Sequence, residues 1–462
     1  MTHNLLRQAT SPAEPIPNKY ERFNFTQNPF PAKPSVTIGS QDYRENGSIY
    51  LPELREKEQL KFEQLLIPHP DRTQVRSISF LMDYATRRGR GIGKTSFLHN
   101  QRNRIIKDFC NELSGGTEVI FAIYVSPLPD GKTRKFWQFY KLLTQELVRQ
   151  DIISAAMWRL RAFSGVIPDA VLTEIESDPQ NTIGDNDWLA KKNVDVIWNL
   201  DRSIQNQLQS LGIRYDLVEN LTRFGHSAID FEQKFLDNLS DYTWKNDNDQ
   251  LFFSDFVKVL TTAGFTKGLI LVDEVEKIIT PQNTQERRTF TDSLRYFFID
   301  GQCENARFSF YRLLLTIHPY VQELLNPHWS STGLDRFAAL SGELDSEYTI
   351  YFEPLNQESA IPLAMAYLNA SRISDNQKER LEPFNSEALV EALMLSGRVP
   401  GVFLTLLNNA IEKAIQSGWE QIGVDQIRSV AKIRAPIEPK RSDIIKPLIP
   451  AQVDLRKENN LQ

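Results

Sequence analysis

The chain has 462 residues, enough for two or three folded units, and its 41% apolar and 24% charged residues are the proportions of an ordinary soluble globular protein. A formal net charge of −6 excludes a molecule that binds polyanions over its whole surface, so nucleic-acid contact would need a local basic patch. The two cysteines, Cys110 and Cys303, stand far apart, which excludes a disulfide framework and a cysteine-ligated zinc site and leads us to expect a reducing, cytoplasmic setting.

The polar opening Met1-Thr2-His3-Asn4 lacks the basic-then-apolar pattern of a secretory signal. No apolar run approaches the roughly 20 residues that span a bilayer, so no membrane association is expected. Residues 1–66 read as an N-terminal arm, rich in Pro, Asn, Thr and Ser, followed by a helix over 51–66. The arm contains Asn28-Pro29-Phe30. Residues 67–150 begin an α/β region. The apolar, β-branched stretch 75–85 predicts a strand, a Gly-rich turn follows, and residues 95–113 predict a helix. A second strand is expected at 118–125 and a helix at 136–149, where apolar residues recur at helical spacing.

Over 151–250 this alternation stops, and segments such as 193–211 and 229–239 read as amphipathic helices joined by Asn/Asp-rich loops. We expect a helical insertion there, with Trp158, Trp188, Trp198 and Trp244 as core or interface anchors. The α/β pattern resumes over 251–354 with strands at 268–272, 311–316 and 348–352. Residues 355–435 read as helices only, and the Pro-containing segment 436–462 as a flexible tail. The predicted fold class is α/β, a parallel-sheet P-loop core with a large helical insertion and an all-α C-terminal lid.

The chemistry concentrates at two places. Arg88-Gly89-Arg90-Gly91-Ile92-Gly93-Lys94-Thr95 follows a predicted strand and opens a predicted helix, the setting a phosphate-binding loop requires. Glycines let backbone N–H groups turn toward phosphate oxygens, and the new helix adds its positive end. Gly89, Arg90, Gly91, Ile92, Gly93, Lys94, Thr95 and Ser96 are the candidate nucleotide-binding residues, Lys94 reaching phosphates as a point charge and Thr95 offering a hydroxyl to magnesium. In the usual spacing the first glycine falls on Arg88, and Gly89 supplies the backbone freedom one residue later. The alternative is an ordinary Gly-rich turn.

The second place is Leu269-Ile270-Leu271-Val272-Asp273-Glu274, an apolar strand that delivers two carboxylates at its C-terminal edge, where open parallel sheets bind ligands. Asp273 is the second candidate residue for magnesium, holding the ion through its water shell. Glu274 is the candidate general base for an attacking water. The alternative is that both acids only favour the start of the next helix.

In the order of these parts the chain resembles AAA+ ATPases of the branch that holds origin-recognition, transposition-regulator and secretion-type ATPases. In those families an Asn-Pro-Phe segment often precedes the phosphate loop, as Asn28-Pro29-Phe30 does here. The resemblance implies ATP and Mg2+ as cofactors and ATP hydrolysis as the activity. It also implies that Thr316, in Leu313-Leu314-Leu315-Thr316, senses the γ-phosphate, and that Arg336, in Leu334-Asp335-Arg336-Phe337, reaches a neighbouring subunit's nucleotide. Their alternatives are a hydroxyl bonded to backbone and a solvated loop arginine. Ser396-Gly397-Arg398-Val399-Pro400-Gly401 is similar to the lid segment bearing a second sensor arginine. Gly401 stands where that arginine is common, so Arg398 is the candidate in its place.

The same resemblance implies self-association or a partner ATPase or effector protein, and a switch or remodeller acting with DNA or with a modification, defence or transposition-like complex. Arg87, Arg88, Arg90, Arg102, Arg104, Lys107, Lys132, Arg134 and Lys135 are the basic clusters that could meet phosphates. The alternative is a nucleotide-dependent signalling or scaffold protein that recruits a partner protein with little turnover.

Overall fold

The computed structural model describes residues 18–37, 40–71, 76–83, 91–175, 178–224, 249–300, 310–340 and 346–433. Residues 87–90, the predicted helix at 229–239, Trp244, Cys303 and the tail 436–462 lie outside the described residues. The chain divides into two units. Ser35–Pro354 forms one, and the described parts of Met1–Pro34 and Leu355–Gln462 form the other. Residues 18–34, which the sequence reading grouped with 35–66, thus belong with the C-terminal helices.

The larger unit is built on five strands, β1 (Ile78–Met82), β2 (Ile120–Val125), β3 (Lys267–Val272), β4 (Tyr311–Ile317) and β5 (Thr349–Tyr351). They pair in the order β2-β3-β4-β1-β5, all parallel. This is the α/β class expected from the sequence, and the strands fall within or beside the five predicted stretches. Their near-continuous apolar runs suit strands covered on both faces. The pleat sends alternate residues to opposite faces. Phe80, Ile123, Ile270 and Leu313 enter one core, while Leu81, Ala122, Leu271 and Leu314 enter another.

The second core is closed by α1 (Glu56–Leu66) and α2 (Lys94–Ile106), through Phe62, Phe97 and Leu98. Both helices are shorter than predicted. Pro52 opens a separate 3-10 turn, Pro52–Arg55, before α1. Beyond α2, Phe109 and Cys110 take left-handed backbone angles, which a continuing right-handed helix does not tolerate. On the other face, α3 (Phe136–Arg149) has the predicted bounds and lays Phe136, Phe139, Tyr140 and Leu143 into the first core.

Between β2 and β3 the described residues form helices and no strand. Here lie α4 (Ile152–Phe163), α5 (Asp169–Leu172), α6 (Asn186–Lys191), α7 (Arg202–Ser210), α8 (Tyr215–Phe224) and α9 (Asp249–Thr262). Arg161 is wholly buried in this insertion and donates to Ile183 O at 2.8 Å and Asn186 Oδ1 at 3.0 Å. The single amphipathic helix expected at 193–211 is a π-turn, Val196–Asp201, leading into α7. Asp195 starts that turn by accepting the Trp198 N–H at 3.0 Å, and this leaves Trp198 70% exposed. Trp158 and Trp188 do pack against the core; Trp198 is not a core residue.

After β3 come α10 (Glu276–Ile279), α11 (Thr284–Leu294) and α12 (Pro319–Ser331). The second unit contains α13 (Ala360–Ser371), α14 (Ser386–Leu395), α15 (Pro400–Ser417) and α16 (Val424–Ile433). The arm is part of its core. Phe30 is fully buried against the rings of Tyr367 and Phe384. Asn408 Nδ2 donates to Phe30 O at 2.6 Å, and Asn28 Nδ2 to Asn408 O at 3.1 Å.

Candidate functional site

The turn into α2 needs glycine twice. Gly91 and Gly93 hold φ of +85° and +98°, left-handed angles that other residues adopt at a cost. A Cβ on Gly93 would meet nothing within 4 Å, so its requirement is conformational and not steric. Gly93 is also the N-cap of α2 and brings no side chain to cap it. The first N–H groups of a helix have no partner within it, so the backbone of Lys94, Thr95 and Ser96 presents the positive end of the helix. Arg55 fastens this turn from behind. Its buried guanidinium donates to Ile92 O at 3.0 Å, to Glu58 Oε1 at 2.8 Å and to Glu353 O at 2.8 Å.

The sheet delivers side chains to the same helix end. Tyr124 on β2 packs with the α1–α2 core, and the period of two puts Asp273, Thr316 and Asp83 on that face too, after Leu271, Leu314 and Leu81. In register, Tyr124 pairs Leu271, Val272 pairs Leu315, and Leu81 pairs Thr316. Four adjacent strands therefore place Tyr124, Asp273, Thr316 and Asp83 in a row at their C-terminal ends. Thr95 Oγ1 donates to Asp273 Oδ2 at 2.6 Å, and Tyr124 Oη donates to the same oxygen at 3.0 Å. Burial pushes the Tyr124 phenol well up, with the neighbouring Asp273 charge adding to it. Lys94 Nζ lies 3.5 Å from Asp83 Oδ2, both side chains being buried. Burial lowers the Lys94 pKa, against the opposing effect of Asp83 and Asp273.

Thr316 is 4% exposed, and its hydroxyl has no hydrogen-bond partner among the described residues. The alternative that it serves a backbone group is therefore not what the geometry gives. A buried hydroxyl left unsatisfied beside Asp273 is the kind of atom a polar ligand completes.

Glu274 leaves the strand with φ of +49°, a strained angle for a non-glycine residue and one of the kinds that cluster at functional sites. The turn swings its carboxylate toward β2, where Lys277 pairs with it and Ser126 Oγ donates to Oε2 at 3.4 Å. Its backbone N–H donates to Asp273 Oδ1 at 2.9 Å. Glu276 also faces this cluster, and burial raises its pKa, with Glu274 and Asp273 adding to the shift.

Arg336 sits in a 3-10 turn, Leu334–Arg336, behind α12. Trp329, fully buried, donates its indole N–H to Ala338 O at 2.7 Å and pins the turn. Leu334 and Ala338 point inward, while Arg336 is exposed. Arg398 belongs to the helical unit, exposed and with φ of +61°. Gly89 and Arg90 lie outside the described residues.

Of the basic clusters, Arg104 is engaged by Glu63 at 2.8 Å and by Gln101 at 2.7 Å. Arg134 pairs with Glu286 at 3.3 Å. Lys107, Lys132 and Lys135 are exposed.

Sequence reasoning did not single out Asp83, Tyr124, Ser126, Lys277 or Arg55. For Tyr124 the signal was available only in part. Its place near the end of a strand was legible, but its neighbour across the sheet was not.

No protein-family model matches the chain, and no curated protein matches it. Among solved structures, the chain is similar to the Aeropyrum pernix ORC1 protein in complex with DNA. The likeness has 13% sequence identity and a TM-score of 0.38, and covers 85% of this chain and 68% of that one.

Proposed function

We propose that the chain binds ATP and hydrolyses it as an AAA+-type ATPase, a nucleotide-dependent switch or remodeller. One observation carries this reading. The strand ends put two acids and an unsatisfied buried hydroxyl (Asp273, Asp83 and Thr316) in front of a glycine-started helix whose first residues are Lys94 and Thr95. Such a helix start is an anion site, and the lysine supplies the charge a triphosphate needs.

The donor set also fits magnesium. Thr95 Oγ1 and Asp273 Oδ2 are hard oxygen donors already within 2.6 Å of each other, and a hard divalent cation takes such oxygens. Bound there with the nucleotide, the cation would neutralise charge on phosphate oxygens. The chain's own residues account for the rest. Gly91, Ile92, Gly93 and the first residues of α2, through Ser96, hold the phosphates by backbone. Thr316 reads the γ-phosphate. Glu274 takes a proton from the water that attacks the γ-phosphorus, while the phosphorus–oxygen bond to ADP breaks. In the present geometry Glu274 is paired with Lys277, so it has to exchange that partner to serve as base. Arg336, exposed on a pinned turn, acts on the nucleotide of a second subunit. Arg398 is proposed as a second sensor arginine.

Calorimetric titration with ATP and Mg2+ tests the reading. Tight binding that Lys94→Ala abolishes supports it, and equal binding by both proteins rejects it. Turnover measured with and without duplex DNA then separates a DNA-coupled remodeller from a signalling or scaffold protein that hardly turns over.

A further inference from the structure

The Asp273 carboxylate is held by three donors. Oδ1 takes the Glu274 N–H at 2.9 Å, and Oδ2 takes the hydroxyls of Thr95 at 2.6 Å and Tyr124 at 3.0 Å. Two of these belong to residues already assigned a part in the chemistry. The third comes from β2, which is an edge strand of the sheet among the described residues. An edge strand leaves backbone groups without a partner strand. At Tyr124 they are closed by one side chain. Gln150, the C-cap of α3, accepts the Tyr124 N–H on Oε1 at 3.0 Å and donates from Nε2 to Tyr124 O at 2.6 Å. The same Nε2 donates to Glu146 Oε2 at 2.8 Å, which keeps the amide turned the right way. Gln150 thus does for Tyr124 what a neighbouring strand would do.

We propose that Tyr124 is a positioning residue for Asp273 and that Gln150 sets it, the two forming a brace from the end of α3 to the cation-binding carboxylate. This rests on the reading of Asp273 as a magnesium ligand. Thr95 has to turn its oxygen toward the cation, whereas Tyr124 has no such duty. Its hydroxyl keeps one carboxylate oxygen oriented while the other contacts change. Partners that orient a ligating carboxylate commonly change metal affinity about 10–100-fold when removed.

The test is ADP binding measured by calorimetry at a series of MgCl2 concentrations and again in EDTA, on the full chain. Tyr124→Phe keeps the ring packing and removes only the hydroxyl. It should raise the Mg2+ concentration needed for half-maximal effect by about 10-fold, with EDTA binding unchanged and the melting temperature of the nucleotide-free protein lowered only by the loss of one hydrogen bond. Gln150→Leu should move the Mg2+ requirement the same way by less, and the double variant should match Tyr124→Phe alone, since both act through one carboxylate. A Tyr124→Phe protein with the wild-type Mg2+ requirement overturns the brace and leaves the nucleotide reading standing. Wild-type protein whose ADP binding ignores Mg2+ overturns the brace together with the reading of Asp273 as a magnesium ligand.

Discussion

Lys94 holds its ammonium 3.5 Å from the carboxylate of Asp83, a residue with no exposed surface at all. Breaking a buried ion pair by removing one partner strands the other charge and costs stability on the order of 3–5 kcal/mol when nothing else compensates. Asp83 has further contacts, so Lys94→Ala should lose about 1–3 kcal/mol in denaturant unfolding. Asp83→Asn in the same chain should recover part of that loss without recovering ATP binding. Recovery of binding by the double variant would mean that phosphate recognition does not depend on the lysine.

The pH dependence follows from the same burial. Lys94 in the folded protein has its pKa lowered from the ordinary 10.5, so as pH rises the folded chain gives up this proton before the unfolded chain does. Over that alkaline window the unfolded state binds more protons, and the contribution of Lys94 to stability grows with pH. Nucleotide affinity moves the other way, because the cation that meets the phosphates is being lost. ATP affinity should therefore fall on the alkaline side while unfolding titrations show no matching loss of stability from this group. Lys94→Arg should move that fall to higher pH, since a guanidinium stays charged.

Thr316 allows function and packing to be separated. Its hydroxyl is buried and bonds to nothing among the described residues, so Thr316→Val removes an unsatisfied polar atom of similar volume. The melting temperature should hold or rise slightly. ATP hydrolysis should nonetheless drop by about 10-fold, if the hydroxyl is worth one transition-state hydrogen bond of about 1.4 kcal/mol. A Thr316→Val protein that is equally stable and fully active would leave the residue without a role in turnover.

Glu274→Gln should bind Mg2+ and ATP with wild-type affinity and hydrolyse about 10²–10⁴-fold more slowly, because an amide cannot take the proton. Single-turnover rates with pre-bound ATP check this directly. A normal rate would reduce Glu274 to a helix-start residue paired with Lys277.

Arg336 projects from a turn that Trp329 pins, and it should work across a subunit boundary in a head-to-tail stack. Hydrolysis per chain should rise with protein concentration. Arg336→Ala should bind ATP normally and hydrolyse it poorly. Mixing Arg336→Ala with Glu274→Gln should restore part of the activity, because some interfaces then pair an intact Arg336 with an intact Glu274. Turnover by a monomer, independent of concentration, would place the arginine's action within one chain.

A charge-reversal test for DNA contact has to respect the ion pairs. Reversing Arg104 would set two acids together at Glu63, so any loss of binding would be mixed with a loss of fold. Lys132 and Lys135 are exposed and suit the test better. If duplex DNA binds there, replacing both with Glu should reduce the salt dependence of binding as well as its strength, measured by fluorescence anisotropy across a salt series.

Some of this was legible in one dimension. Runs such as 268–272 and 311–316 had the length and apolar content of covered strands, and the glycine spacing at 91–93 before Lys94 and Thr95 announced the turn whose angles Gly91 and Gly93 adopt. These features depend on neighbours a few residues away, which local periodicity and backbone sterics encode. The row of Tyr124, Asp273, Thr316 and Asp83 depends instead on strand order and register across stretches separated by tens to hundreds of residues. No local pattern specifies which strand lies beside which, because pairing is decided by packing both faces of the sheet at once. Arg104 makes the same point from the other side. Its sequence read as part of a basic cluster, and only the approach of α1 revealed that Glu63 had already taken its charge.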